Sequence, residues 1–142
     1  MVEHGVQAFI GEIEAPYKWA LMVRPPLARW SAGRATLLGD AAHSMLPFLA
    51  QGAVQAIEDG FVLARCLARY PVEEGLRRYE TARKDRTRRA VEGSAANIAR
   101  FHNPVLADPE EGRRFIEREW ATQRVADRYE WLFRYDATTV PV

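Results

Sequence analysis

The spacing of apolar residues changes its period along this chain. In Tyr17-Lys18-Trp19-Ala20-Leu21-Met22-Val23-Arg24 the bulky Tyr17, Trp19, Leu21 and Val23 alternate, the period of a strand with one buried face. Pro25-Pro26 stops that pattern, because neither residue can donate a ladder hydrogen bond. After a connector over Leu27–Gly33, the run Arg34-Ala35-Thr36-Leu37-Leu38 closes on Gly39. Its length also suits a buried helix turn, but the glycine and the following Asp40 favour an interior strand covered on both faces. From about Gln51 the spacing becomes helical: Val54, Ile57, Phe61, Ala64 and Leu67 form one stripe, widened by Leu63, Cys66 and Tyr70. So broad an apolar surface predicts a largely buried helix, ended by Pro71.

A second helix is predicted from Glu73 to about His102, with Leu76 and Tyr79 early and Val91, Ala95, Ile98 and Phe101 late. The polar run Arg83–Arg89 interrupts its stripe and reads as a solvated or domain-facing surface. Asn103–Pro109 is a connector. Asp108-Pro109-Glu110-Glu111 then supplies an N-cap, a first-position proline and first-turn acids, predicting a third helix through Ile116, Trp120, Val125, Tyr129 and Leu132. The expected layout is an α/β one, short strands followed by three helices.

Composition narrows the class without naming a function. At 142 residues, 48% of them apolar, the chain can bury a core as one domain. Its one cysteine, Cys66, permits no internal disulfide and fits a reducing compartment. Twenty basic and 19 acidic residues give a net charge of only +1, with no overall pull toward nucleic acid. The first residues lack a secretory pattern, and charges interrupt every apolar stretch short of a membrane span. The chain is therefore expected to be cytoplasmic, with neither nucleic acid nor membrane as a partner. His4 and His102 have no acidic or cysteine neighbours at metal-binding spacing, so no metal site is expected.

The candidate chemistry lies between Gly33 and Gly60. Asp40 follows a predicted strand, where ligands of α/β sheets gather, and a carboxylate there accepts hydrogen bonds from hydroxyls. The helix opening at Gln51-Gly52-Ala53 presents unpaired N–H groups and a positive dipole end, and Gly52 lets a flat ligand approach the backbone. His43 reads as a brace for the intervening loop rather than a catalytic group.

In order, Gly39-Asp40-Ala41-Ala42-His43, Pro47, Ala50-Gln51-Gly52-Ala53 and Ala56-Ile57-Glu58-Asp59 resemble the second flavin-contact motif of class A flavoprotein monooxygenases, the FAD-dependent aromatic-ring hydroxylases. The similarity is nearest to the salicylate hydroxylase-like branch and extends to Arg24-Pro25-Pro26-Leu27, Trp30, Tyr79-Glu80, Arg83 and Trp131–Asp136. It implies the carboxyl-terminal part of an FAD/NAD(P)-binding, GR2-type Rossmann-like fold. Residues 1–33 would end a substrate-domain sheet and connector, 34–70 would form the flavin-contacting strand, loop and helix, and 71–142 a helical region.

The resemblance further implies FAD as cofactor, NADH or NADPH as co-substrate and a salicylate-like aromatic acid as substrate. Asp40 would hydrogen-bond the ribityl chain, and Gly39 would be a further cofactor-binding residue. The backbone of Gly52, Ala53 and Val54 would face the pyrimidine edge, and Pro47 and Gln51 the substrate side. Ser44 departs from the proline usual after the histidine, which bears on loop geometry and substrate preference. No base for activating a phenol is identifiable.

No two of the nine glycines are separated by a single residue, so the Gly-x-Gly-x-x-Gly turn that holds a dinucleotide pyrophosphate is absent. The expected partner is accordingly an amino-terminal FAD- and substrate-binding half, without which the chain would be inactive. The alternative is a non-catalytic helical module binding protein or nucleic acid through the Arg-rich helix or exposed aromatics.

Overall fold

The computed structural model describes residues 2–122 and 124–142, which are mostly helical. Helix α1 spans Val2–Gly11, a two-residue hairpin pairs β1 (Ser31–Ala32) with β2 (Ala35–Thr36), and a single turn, α2, covers Asp40–His43. A 3-10 turn at Pro47–Leu49 leads into α3 (Gly52–Arg69) and the 30-residue α4 (Val72–Phe101). A second 3-10 turn at Pro104–Ala107 precedes α5 (Pro109–Thr122) and α6 (Val125–Phe133).

The α/β expectation is correct only in outline. The strands form an antiparallel hairpin with Ser31 opposite Thr36, and among the described residues there is no parallel sheet. The expected strand at Tyr17–Arg24 is not formed: Tyr17 through Val23 are exposed and unpaired, because no neighbouring strand offers a ladder. The run at 34–38 is strand only at Ala35–Thr36, and Leu37 and Leu38 are exposed rather than covered on both faces. Near the start, Val6, Phe9 and Ile10 have the helical spacing that α1 follows, where no helix was expected. The third predicted helix is two helices, α5 and α6.

Helices α3 and α4 pack together as the centre of the structure, and the face of α3 turned inward is the opposite of the one its apolar stripe predicts. Val54, Ile57, Phe61 and Leu67 are exposed, Ile57 at 73%, whereas Gln55, Asp59, Val62 and Cys66 are buried. Trp30, Ala42, Val62, Cys66 and Tyr79 form an apolar core cluster, with Leu63 and Ala82 beside it. Burial raises the pKa of the Cys66 thiol, in keeping with a small core residue.

The carboxyl-terminal segment closes over this core. Ala137, Val140 and Val142 pack against it, while Arg65 donates to the carbonyls of Ala137 at 2.8 Å and Val140 at 2.9 Å. Arg86 reaches the carbonyls of Trp131 and Leu132 and lies over the Tyr135 ring. Thus the Arg83–Arg89 run is not a solvated surface at its start: Arg83 is fully buried and Arg86 nearly so. No helix among the described residues is long and apolar enough to cross a membrane.

Candidate functional site

The site begins at the turn between β2 and α2. Tyr79, buried beneath it, donates its hydroxyl to the Leu37 carbonyl at 3.2 Å, and burial with Asp59 nearby pushes the phenol well above its usual range, keeping that donor protonated. Gly39 then turns the chain at φ +59°, and its carbonyl accepts from Ala42 N–H at 2.8 Å and His43 N–H at 2.9 Å, closing α2. A side chain at this φ is strained, and a Cβ here would sit 3.2 Å from that of Ala56.

Asp40 opens α2 and is exposed; its carboxylate has no hydrogen bond or ion pair among the described residues. Arg24 holds the turn from outside, donating from Nη2 to the main-chain carbonyls of Asp40, at 3.3 Å, and of Ala41. Ser44 donates to the Met22 carbonyl at 3.3 Å, so its hydroxyl ties this loop to the preceding segment.

Behind the turn lies a buried polar network. Asp59 Oδ2 accepts from Gly39 N–H at 3.1 Å and from His43 Nε2 at 2.5 Å, while Oδ1 accepts from Arg83 Nε at 2.7 Å. Burial alone would raise the Asp59 pKa, but hydrogen bonds from His43 and Arg83 and the guanidinium charge outweigh it and hold the carboxyl below its ordinary value. The carboxylate therefore stays ionised and accepts from His43 Nε2–H. Arg83 Nη1 lies 2.8 Å from Glu58, and Nη2 donates to the Gln55 side chain at 2.8 Å. Gln55 in turn donates to Gln51 Oε1 at 3.1 Å, carrying the network to the start of α3.

Helix α4 also fixes the loop between α2 and α3. Ser94 donates to the Leu46 carbonyl at 2.5 Å and Asn97 to the Phe48 carbonyl at 2.9 Å. These bonds seat Pro47, which opens the 3-10 turn. The first hydrogen bond of α3 runs from Gln55 N–H to the Gln51 carbonyl, leaving the N–H groups of Gly52, Ala53 and Val54 without intrahelical acceptors.

Gly39, Asp40, Pro47, Gln51, Gly52 and Ala53 all line one open cleft of about 690 Å³. A Cβ on Gly52 would lie 3.9 Å from Asp40 Oδ1, so the carboxylate and the helix start face each other closely. Of the site residues named from sequence, only Val54 is outside the lining; its side chain is exposed. Sequence reasoning missed Gln55, Ser94 and Asn97 altogether, and gave Asp59 and Arg83 no role. Their signal was a three- or four-residue spacing of polar rather than apolar groups.

Residues 3–94 match the FAD binding domain family. This chain belongs to that family. It is 42% identical over 137 residues to a 3-amino-4-hydroxybenzoate 2-monooxygenase of Streptomyces platensis, covering 95% of this chain and 34% of that protein. It is 36% identical over 140 residues to a 6-hydroxynicotinate 3-monooxygenase of Pseudomonas fluorescens, covering 96% of this chain and 30% of that protein. An FAD-dependent monooxygenase of Beauveria bassiana is 34% identical over 145 residues, covering 93% of this chain and 34% of that protein. The chain thus spans about a third of the length of these relatives. The resemblance to FAD-dependent aromatic monooxygenases holds at the level of the family, whose cofactor is FAD.

The donor set fits the cofactor of the FAD binding domain family. An unpartnered carboxylate suits ribityl hydroxyls, and free N–H groups at a helix start suit an electron-rich ring edge.

Proposed function

We propose that this chain forms one wall of the FAD site in an NAD(P)H- and O2-dependent monooxygenase that hydroxylates a phenolic or other hydroxylated aromatic acid. The observation that carries this reading is the cleft shared by the unpartnered Asp40 carboxylate and the N-terminus of α3. Asp40 accepts from ribityl hydroxyls beside the Gly39 backbone. The N–H groups of Gly52, Ala53 and Val54 face the pyrimidine edge, where preorganised dipoles stabilise negative charge that develops during reaction. Pro47 and Gln51 flank the substrate side. FAD supplies the redox chemistry that links a nicotinamide to oxygen, while this wall places and polarises the ring.

The substrate class follows relatives named for a hydroxybenzoate and a hydroxynicotinate, aromatic rings that carry both a hydroxyl and a carboxylate. A salicylate-like compound is one member of that class. The portion of the relatives that this chain does not span would supply the pyrophosphate-binding turn and the substrate sheet of a Rossmann-like fold. Residues 34–70 would meet the flavin and 71–142 support them. The exposed apolar face of α3, with Val54, Ile57 and Phe61, is the surface such a portion would cover.

The Arg-rich stretch of α4 favours this reading over a nucleic-acid module, since Arg83 and Arg86 are committed to Asp59 and Glu58. Fluorescence titration of FAD into the chain and into Asp40→Ala tests the proposal. Weak binding by the chain, weakened about tenfold further in the variant, is the expected result. Equal affinity in both would remove Asp40 from the site. NAD(P)H-dependent turnover by the chain alone would contradict the need for a further portion.

A further inference from the structure

Asp59 does not line the cleft, yet it touches both ends of the turn that carries Asp40. A single oxygen, Oδ2, holds Gly39 N–H on one side of Asp40 and the His43 ring on the other. The second oxygen is held by Arg83, itself fixed by Glu58 and Gln55. Asp40 has no side-chain partner of its own, so the place of its carboxylate follows the backbone turn, which Arg24 holds from outside and Asp59 from within. We infer that Asp59 is a positioning residue for the cofactor site, setting the place of the Asp40 carboxylate by clamping Gly39 and His43 at once.

The clamp acts where the backbone is least able to hold itself. Gly39 sits at φ +59°, a conformation with little intrinsic preference over its alternatives in glycine. α2 is a single turn, too short to persist without tertiary contacts. A buried, ionised carboxylate bonded to three donors, two at the ends of the α2 turn and one on α4, adds an inner constraint to the outer one from Arg24. Loss of the clamp leaves the Asp40 turn held from outside only, by Arg24, while the start of α3, seated by its own helix, remains in place.

This inference rests on the flavin reading of the cleft and makes a prediction that a general loss of structure would not. Riboflavin carries the ribityl hydroxyls that Asp40 would accept from; lumiflavin has the ring but no ribityl chain. Chemical-shift titrations of the 142-residue chain with each are expected to give about tenfold tighter binding of riboflavin. Asp59→Asn alone strands the buried Arg83 charge and destabilises the fold, so the pair Asp59→Asn with Arg83→Gln is used, removing both charges together. His43→Phe, which keeps the Asp59–Arg83 ion pair and the ring beside Trp30 but has no donor for Asp59, is the second variant.

In the double variant riboflavin affinity should fall to that of lumiflavin, with lumiflavin affinity unchanged. His43→Phe should retain about a threefold preference for riboflavin. An undiminished preference in either folded variant, or equal weakening of both flavins, would overturn the positioning role. Binding of neither flavin by the unsubstituted chain would overturn the flavin reading itself, and this inference with it.

Discussion

Arg83 Nε and Asp59 Oδ1 meet at 2.7 Å where neither side chain has any exposure to solvent. The pair joins α4 to α3 at the centre of the structure and stands behind the turn that presents Asp40. Two buried charges are tolerable here because each is further bonded: Asp59 by His43 and Gly39, Arg83 by Glu58 and Gln55.

Removing one member leaves the other buried and uncompensated. Arg83→Met is expected to lower unfolding free energy by about 3–5 kcal/mol, measured by urea denaturation. A loss under about 1 kcal/mol would mean that water or another cation reaches Asp59, contrary to its burial.

The same carboxylate predicts an acid limit to stability. Asp59 is faced by His43 from α2 and by Arg83 and Tyr79 from α4, with Glu58 beside it on α3; burial raises its pKa, but the hydrogen bonds and charges of His43 and Arg83 lower it by more, to below the ordinary value of 3.8. As pH falls, the unfolded chain takes up the proton first, so the contribution is full above about pH 4 and is lost through the folded-state pKa. Glu80 adds to this limb: partial burial raises its pKa, but hydrogen bonds from the backbone at Trp30 and Ser31 lower it by more. Urea midpoints between pH 7 and pH 3 should decline toward acid, and the decline should be shallower with Asp59→Asn and Arg83→Gln combined. An identical profile would assign the acid limb to other groups.

Two glycine substitutions should have opposite signs. Gly39→Ala meets positive φ and a Cβ contact at 3.2 Å, and is expected to destabilise by about 1–3 kcal/mol. Gly60→Ala lies inside α3 with nothing within 4 Å of the new methyl, and should stabilise by about 0.5–1 kcal/mol. Thermal unfolding of both checks the assignment; stabilisation by Gly39→Ala would show that the turn does not need its left-handed backbone.

Motif order made the cleft legible before the fold was. Gly39, Asp40, Pro47, Gln51, Gly52 and Ala53 are close in sequence, so a strand, loop and helix start already imply their proximity. The long helices were legible too, since proline and helical spacing bound them at Pro71 and Pro109. The inward face of α3 was not. Asp59 becomes a favourable buried residue only through Arg83, 24 positions later on another helix, and hydropathy ranks each residue without its partner. The stripe of Val54, Ile57 and Phe61 is real but faces outward. Similarly, the alternation at Tyr17–Val23 is strand-like, yet a strand needs a neighbour, and none is paired with it among the described residues.

The central claim is that the cleft between Asp40 and the start of α3 receives the flavin. Titrating FAD into isotope-labelled chain and mapping amide shifts tests it most directly. Shifts concentrated at Gly39, Asp40, Gly52, Ala53 and Val54, and diminished at the first two by Asp40→Ala, are the predicted result. Shifts confined to another surface, or none at saturating FAD, would contradict the account.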